Sequence, residues 1–264
     1  MPDTTITSAD GTTLAARWTG RGSPLVLVHG ALGDLDTFAL VEGLLAERHS
    51  VWVYSRRGRG GSGDGPDYSL QREVDDLVAV VAAAGHRVHL VGHSGGAAYC
   101  LLAATQLPRL RSLVLYEPPL GLEALDPTVI DDVEAALDDG DPDRAVGTLF
   151  PAIGVAEHEQ MALRSLEPVW SRIREGVRLC PRELRAGLDE GLDQRTAFEP
   201  PDVPTLYLHG EETDAPIFRS PSEVATLFPK AQLRKLAGQR HLAFAFDPSS
   251  FAEAVLAFTT ANDH

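Results

Sequence analysis

The sequence predicts an α/β protein: a mostly parallel sheet flanked by helices, with a helical cap inserted late in the chain. Three observations predict it. Short apolar runs rich in β-formers alternate with segments whose apolar residues recur at helical spacing. The run 88–91 passes through Gly92, His93, Ser94, Gly95 and Gly96 straight into the apolar stretch 97–104, a strand joined to a helix by one tight turn. The alternation then stops between about Leu120 and Pro200 and resumes afterwards.

Taken in order, residues 4–8 and 12–18 flank Asp10 and Gly11, a turn pair of the kind that closes hairpins, and predict an antiparallel edge. Residues 25–28 are a continuous apolar run, as in a strand covered on both faces, ending at His29 and Gly30. Phe38, Val41, Leu44 and Leu45 predict a helix over 36–48. Residues 51–54 form the next strand, followed by a basic glycine-rich turn from Arg56 to Gly63. Leu70, Val74, Leu77, Val78 and Val81 lie on one helical stripe that Gly85 ends. Strand 113–116 stops at Glu117, Pro118 and Pro119. The stretch 120–200 is acidic near 126–143 and reads as four or five short helices punctuated by Pro127, Pro142, Pro151, Pro168 and Pro181. Strands 205–208 and 233–236 and a closing helix over 251–258 complete the pattern. The expected organisation is a core of residues 1–119 and 201–264 with a cap of residues 120–200. Ligands of such sheets bind beyond the carboxyl ends of the strands, so His29, the arginine turn, Ser94 and Glu117 should share one rim.

A chain of 264 residues with 44% hydrophobic and 23% charged residues can bury a substantial core. Its formal net charge of −15 argues against nucleic acid and anionic membrane surfaces, both of which attract basic patches. A neutral or only locally charged small molecule is the expected partner. Cys100 and Cys180 read as reduced thiols, with no disulfide framework or metal quartet. Residues 1–20 carry no apolar signal-like segment and no run of 18 apolar residues occurs, so the expected location is the cytoplasm. Nothing in the sequence marks an oligomeric state.

The chemistry centres on Gly92-x-Ser94-x-Gly96. Small residues on both sides let the backbone turn sharply, and the hydroxyl is held at a helix N-terminus that favours developing negative charge. Together with His29-Gly30, the RGxGGS stretch from Arg57 to Ser62, and the late Asp214 and His241, this motif resembles the α/β-hydrolase fold superfamily, in particular cap-bearing serine hydrolases of esterase or lactonase type. The resemblance covers nearly the whole chain and follows the family order of nucleophile, acid, histidine. It implies Ser94 as nucleophile and His241 as the base that takes its proton. Two carboxylates compete to orient His241: Asp214, four residues beyond Gly210, is placed first, and Glu117, at a strand end from which some members draw their acid, second. The oxyanion hole is expected from the backbone N–H groups of Ala31 and Gly95. His29 is expected to shape that loop, His93 to turn away from Ser94, and His209 to divide between packing and function. The arginine turn reads as a tie across the rim rather than an anion clamp. No cofactor or metal is implied. The activity expected is hydrolysis of a carboxylic ester or lactone of a small to medium apolar substrate through an acyl-serine. The alternatives are C–C bond hydrolysis, cofactor-free natural-product tailoring and, outside enzymes, a ligand receptor retaining the triad.

Overall fold

The chain begins with a hairpin, β1 (Thr4–Thr7) and β2 (Thr13–Thr19). Asp10 closes its turn by accepting the Thr12 N–H at 2.9 Å, and Gly11 takes φ 88°, a conformation that a Cβ disfavours. There follow β3 (Ser23–Val28), α1 (Ala39–Leu45), β4 (His49–Tyr54), α2 (Leu70–Ala84), β5 (His89–His93), α3 (Gly95–Ala104) and β6 (Ser112–Tyr116). A short 3-10 turn, Leu122–Ala124, leads into five helices: α4 (Thr128–Asp138), α5 (Pro142–Ala152), α6 (Glu157–Arg164), α7 (Glu167–Val177) and α8 (Cys180–Asp189). The sheet resumes with β7 (Thr205–Gly210), α9 (Pro221–Leu227), β8 (Gln232–Leu236), α10 (Ala243–Phe246) and α11 (Pro248–Ala261). This is a computed structural model, and it describes residues 4–85, 87–192 and 202–263. The expected cap-to-core boundary at residues 200 and 201 lies outside the described residues.

The eight strands form one sheet in the order β1-β2-β4-β3-β5-β6-β7-β8. β2 is antiparallel to both neighbours, and all pairs from β4 to β8 are parallel. Alternation along each strand divides the core. Val26, Val28, Leu90, Leu113 and Leu115 face α2 and α3, while Leu25, Leu27, Val91, Val114 and Tyr116 face α1 and α11. Both faces of the sheet are thus covered, and its carboxyl end is left for the site.

Helix α1 is shorter than its apolar spacing predicts. Ahead of it, Thr37 Oγ1 accepts the Asp34 N–H at 2.8 Å and Asp34 accepts the Asp36 N–H at 2.9 Å, so local side-chain bonds replace the first helical turn. The prolines of the inserted stretch mostly start helices: Pro142, Pro168 and Pro181 stand in the first turns of α5, α7 and α8, where a missing N–H costs nothing. The insertion has its own core, with Val133, Val146, Leu149, Phe150, Trp170 and Val177 buried together. It meets the rim through close contacts: Glu190 accepts the Leu70 N–H, Arg182 pairs with Asp64 at 2.6 Å, and a Cβ on Gly176 would stand 2.6 Å from the Leu32 oxygen.

Candidate active site

Ser94 sits at φ 53°, ψ −127°, between the end of β5 and the first residue of α3. With Glu117 at φ 47°, it is one of two non-glycine residues at positive φ among those described, and both lie at this rim. Such backbone costs roughly 1–3 kcal/mol and persists only where surroundings fix it. Here the sterics are explicit. A Cβ on Gly96 would stand 2.3 Å from the Val28 oxygen, and one on Gly92 would stand 2.5 Å from the Ala97 Cα. The turn is further fixed by the Ser94 N–H, which donates to the Tyr116 oxygen at 2.8 Å. Gly95 opens α3, so its N–H lacks an intrahelical acceptor.

His241 follows β8 through Gly238, Gln239 and Arg240, and its Nδ1 lies 2.7 Å from Glu117 Oε2. The Glu117 Oε1 accepts the Gly210 N–H at 2.7 Å and lies 3.3 Å from His209 Nδ1. Glu117 and His241 are both buried, and burial disfavours charge on each. It pushes the Glu117 carboxyl up to about 7, against the pull of the neighbouring Thr213 hydroxyl and the Gly210 amide. It pushes His241 down to about 3. With Nδ1–H given to Glu117, Nε2 is the nitrogen left free to accept a proton.

The ring of His241 is held on several sides. Phe218 stacks on it with centroids 4.3 Å apart, and His93 packs at 4.4 Å while donating from Nε2 to the His241 oxygen at 2.9 Å. The Tyr116 hydroxyl donates to the Arg240 oxygen and accepts the Ala243 N–H at 3.1 Å. One strand end therefore supplies both Glu117 and the tether of the histidine loop. Gly210 permits that loop to approach, since a Cβ there would stand 2.6 Å from the Arg240 oxygen.

The Gly30-Ala31 loop lies beside the serine, a Cβ on Gly30 falling 3.0 Å from the Ser94 Cβ. His29 orients it: its Nε2 accepts the Arg56 N–H at 3.1 Å, which leaves Nδ1–H to donate to the Gly30 oxygen at 2.8 Å. Burial holds His29 well below the ordinary histidine range. Ser94, Gly95 and Ala31 keep partial exposure, whereas Glu117 and His241 are sealed beneath them.

The other residues singled out from the sequence fall as follows. Asp214, placed first as the orienting carboxylate, does not meet His241: it accepts from Arg240 Nη1 at 3.0 Å, with its side chain 75% exposed. Glu117 makes the contact instead, because it leaves the buried strand beside the histidine loop while Arg240, one residue before the histidine, holds Asp214 outward. The arginine turn is a tie. Arg56 pairs with Glu73 at 2.6 Å, and Arg57 with Asp76 at 2.8 Å and Asp10 at 3.1 Å, all closed within the protein. Phe218 and Tyr116 carried no motif and were missed; only their place just beyond or at the end of a sheet strand could have suggested them. Cys100 and Cys180 are free buried thiols, and burial pushes Cys180 up to about 12. Among the described residues no group of three or more His, Cys, Asp or Glu side chains is arranged to hold a metal ion. No helix among them is long and apolar enough to cross a membrane.

A mostly parallel eight-stranded sheet with a strained serine between a central strand and its helix defines an α/β-hydrolase fold. Residues 25–255 match the model of the Alpha/beta hydrolase family, and the chain belongs to it. The crystal structure of an alpha/beta hydrolase from Sphaerobacter thermophilus DSM 20745 superposes with a TM-score of 0.83 at 31% identity, covering 97% of this chain and 99% of that one. Over 108 residues the chain is 39% identical to N-formylmaleamate deformylase of Pseudomonas putida, a match spanning 39% of this chain and 40% of that protein. It is 28% identical over 258 residues to a pimeloyl-[acyl-carrier protein] methyl ester esterase of Stenotrophomonas maltophilia, covering 92% of this chain and 95% of that protein.

Proposed function

We propose that the protein is a serine hydrolase that cleaves a carboxylic ester or lactone of a small to medium, uncharged apolar substrate. Ser94 attacks the carbonyl as His241 Nε2 takes its proton, Glu117 orients the imidazole and stabilises its positive form, and the amides of Ala31 and Gly95 receive the oxyanion. The imidazolium returns the proton to the leaving alcohol, and water repeats the sequence to free the acid and restore Ser94. The observation that carries this reading is the buried 2.7 Å contact between His241 Nδ1 and Glu117, which leaves Nε2 as a neutral base.

The inserted helices act as the cap in this reading. Partly exposed Val129, Ile153 and Leu184 lie where the core of the insertion meets Tyr99 and Phe218, and Ala31 and Leu242 join the same apolar surface. Arg56, Arg57 and Arg59 are engaged by carboxylates of the protein, which argues against an anionic group on the substrate. The similarity to a deformylase favours an N-formyl amide as a second substrate class, assayed by formate release.

The test is a panel of p-nitrophenyl esters of increasing acyl length. Ser94→Ala should lose at least about 10³-fold in turnover. Glu117→Gln should lose about 10²- to 10⁴-fold, and Asp214→Asn should stay within about twofold. Full activity in Ser94→Ala would refute the acyl-serine, and a receptor would bind ester with equal affinity in both proteins while turning over neither.

A further inference from the structure

The oxyanion loop is gripped from two directions. From the core, Arg56 Nη1 reaches the Gly30 oxygen at 3.3 Å, and Arg59 donates to the Ala31 oxygen from Nη2 at 2.6 Å and from Nε at 3.1 Å. From the insertion, Gly176 of α7 packs against the Leu32 oxygen and the Cys180 thiol of α8 stands 3.8 Å from the Ala31 oxygen. One side chain joins the two grips. Glu183, on α8 and 5% exposed, places Oε1 2.9 Å from Arg56 Nη2 and 2.6 Å from Arg59 Nη2. Arg56 and Arg59 are themselves 0% and 2% exposed, so neither guanidinium has water as an alternative partner.

A trans peptide points its N–H opposite its C=O. Holding the Gly30 oxygen therefore aims the Ala31 N–H the other way, and holding the Ala31 oxygen fixes the next peptide. We propose that Glu183 and Arg59 are positioning residues for the oxyanion hole: the insertion, through Glu183, holds Arg56 beside His29 on the Gly30 oxygen and Arg59 on the Ala31 oxygen, and so fixes the two peptides that flank the Ala31 Cα. The cap is then part of the transition-state binding surface, in addition to a wall of the substrate pocket. This rests on the acyl-serine reading above.

Removing Glu183 alone leaves an excess buried cation and endangers the fold. The double variant Arg59→Met/Glu183→Met removes one charge of each sign and leaves Arg56 with Glu73, so it should fold. Glu183→Gln, the double variant and Ser94→Ala are compared with wild type on p-nitrophenyl butyrate, with phenylboronic acid as the probe, since its tetrahedral adduct on Ser94 places an oxygen in the hole. The expected result is a fall in kcat of about tenfold or more, below the 10²- to 10³-fold loss of a whole donor, with KM within about twofold. Boronate affinity should fall by the same factor as kcat. A purely structural role predicts a lower Tm with kcat and boronate affinity unchanged; that outcome in the folded double variant overturns the proposal, as does a kcat loss without a matching loss of boronate affinity. Turnover that survives Ser94→Ala sinks the acyl-serine reading instead, so the two failures are distinguishable.

Discussion

Two carboxylates at neighbouring strand ends show how a single residue's role depends on its surroundings. Glu117 and Asp214 look alike in the sequence, each following a β-run, yet one is buried on His241 and the other is in water on Arg240. Burial disfavours the ionised form of Glu117. Its carboxyl is pushed up to about 7 from the ordinary 4.5, so its contribution to stability is complete below pH 4.5 and is lost as pH rises through 7. Ionised Glu117 therefore weakens the native state by up to about 3 kcal/mol at pH 8, and Glu117→Gln should melt higher than wild type there. The difference should vanish by pH 4.5, and Tm measured from pH 4.5 to 8.5 checks it. A Gln variant less stable than wild type at pH 8 would mean that the His241 hydrogen bond outweighs the desolvation of the carboxylate. Histidine burial works in the opposite sense: His241 is pushed down to about 3, so its contribution is complete above pH 6.5 and falls away toward pH 3. Above pH 6.5 His241 is neutral in the folded and the unfolded chain, so the comparison there reads Glu117.

At the scale of elements, buried ion pairs fix how helices sit on the sheet. Arg57 ties the β1–β2 turn to α2 by pairing with Asp10 and Asp76, and the Arg57 and Asp76 side chains are both 0% exposed. Asp76→Asn leaves the guanidinium with one carboxylate and should cost roughly 3 kcal/mol, measured by urea unfolding. A loss below about 1 kcal/mol would place this pair with weak surface bridges. The elements themselves were mostly legible, because alternation and helical spacing act over a few residues. Residues 36–48 read as a helix from Phe38, Val41, Leu44 and Leu45, but α1 begins only at Ala39, since Asp34 and Thr37 bond to local backbone. Apolar spacing does not register that competition. Proline spacing suggested four or five inserted helices, and five are present; Pro142, Pro168 and Pro181 mark the first turns of three of them, while Pro151 lies inside α5.

In the whole molecule, the end of the sheet opposite the site carries a second histidine pair that ties down α11. His49 Nε2 meets Thr259 Oγ1 at 2.8 Å, and its Nδ1 meets Ser23 Oγ at 2.9 Å. His89 Nδ1 meets Ser112 Oγ at 2.8 Å, and its Nε2 lies 3.5 Å from Asp263, which also pairs with Arg111 at 3.1 Å. Burial lowers both histidines, His89 to about 4, so the stability each contributes is present above pH 6.5 and is lost as pH falls through the folded value. His89→Gln should make Tm less steep in pH between 6.5 and 4, and a slope equal to wild type would show that this end does not set the acid limit. The serine turn was legible in the sequence alone, since Gly92, Ser94 and Gly96 stand within five residues between a strand and a helix, although the oxygen that Gly96 must clear belongs to Val28 of β3. The partner of His241 was decided only by the tertiary structure, because it lies 124 positions away and the choice depends on which carboxylate is enclosed and which finds a cation at the surface. The link from Glu183 through Arg56 and Arg59 to the Gly30-Ala31 loop is of the same kind: no spacing encodes it, and it exists because α8 is packed on the rim.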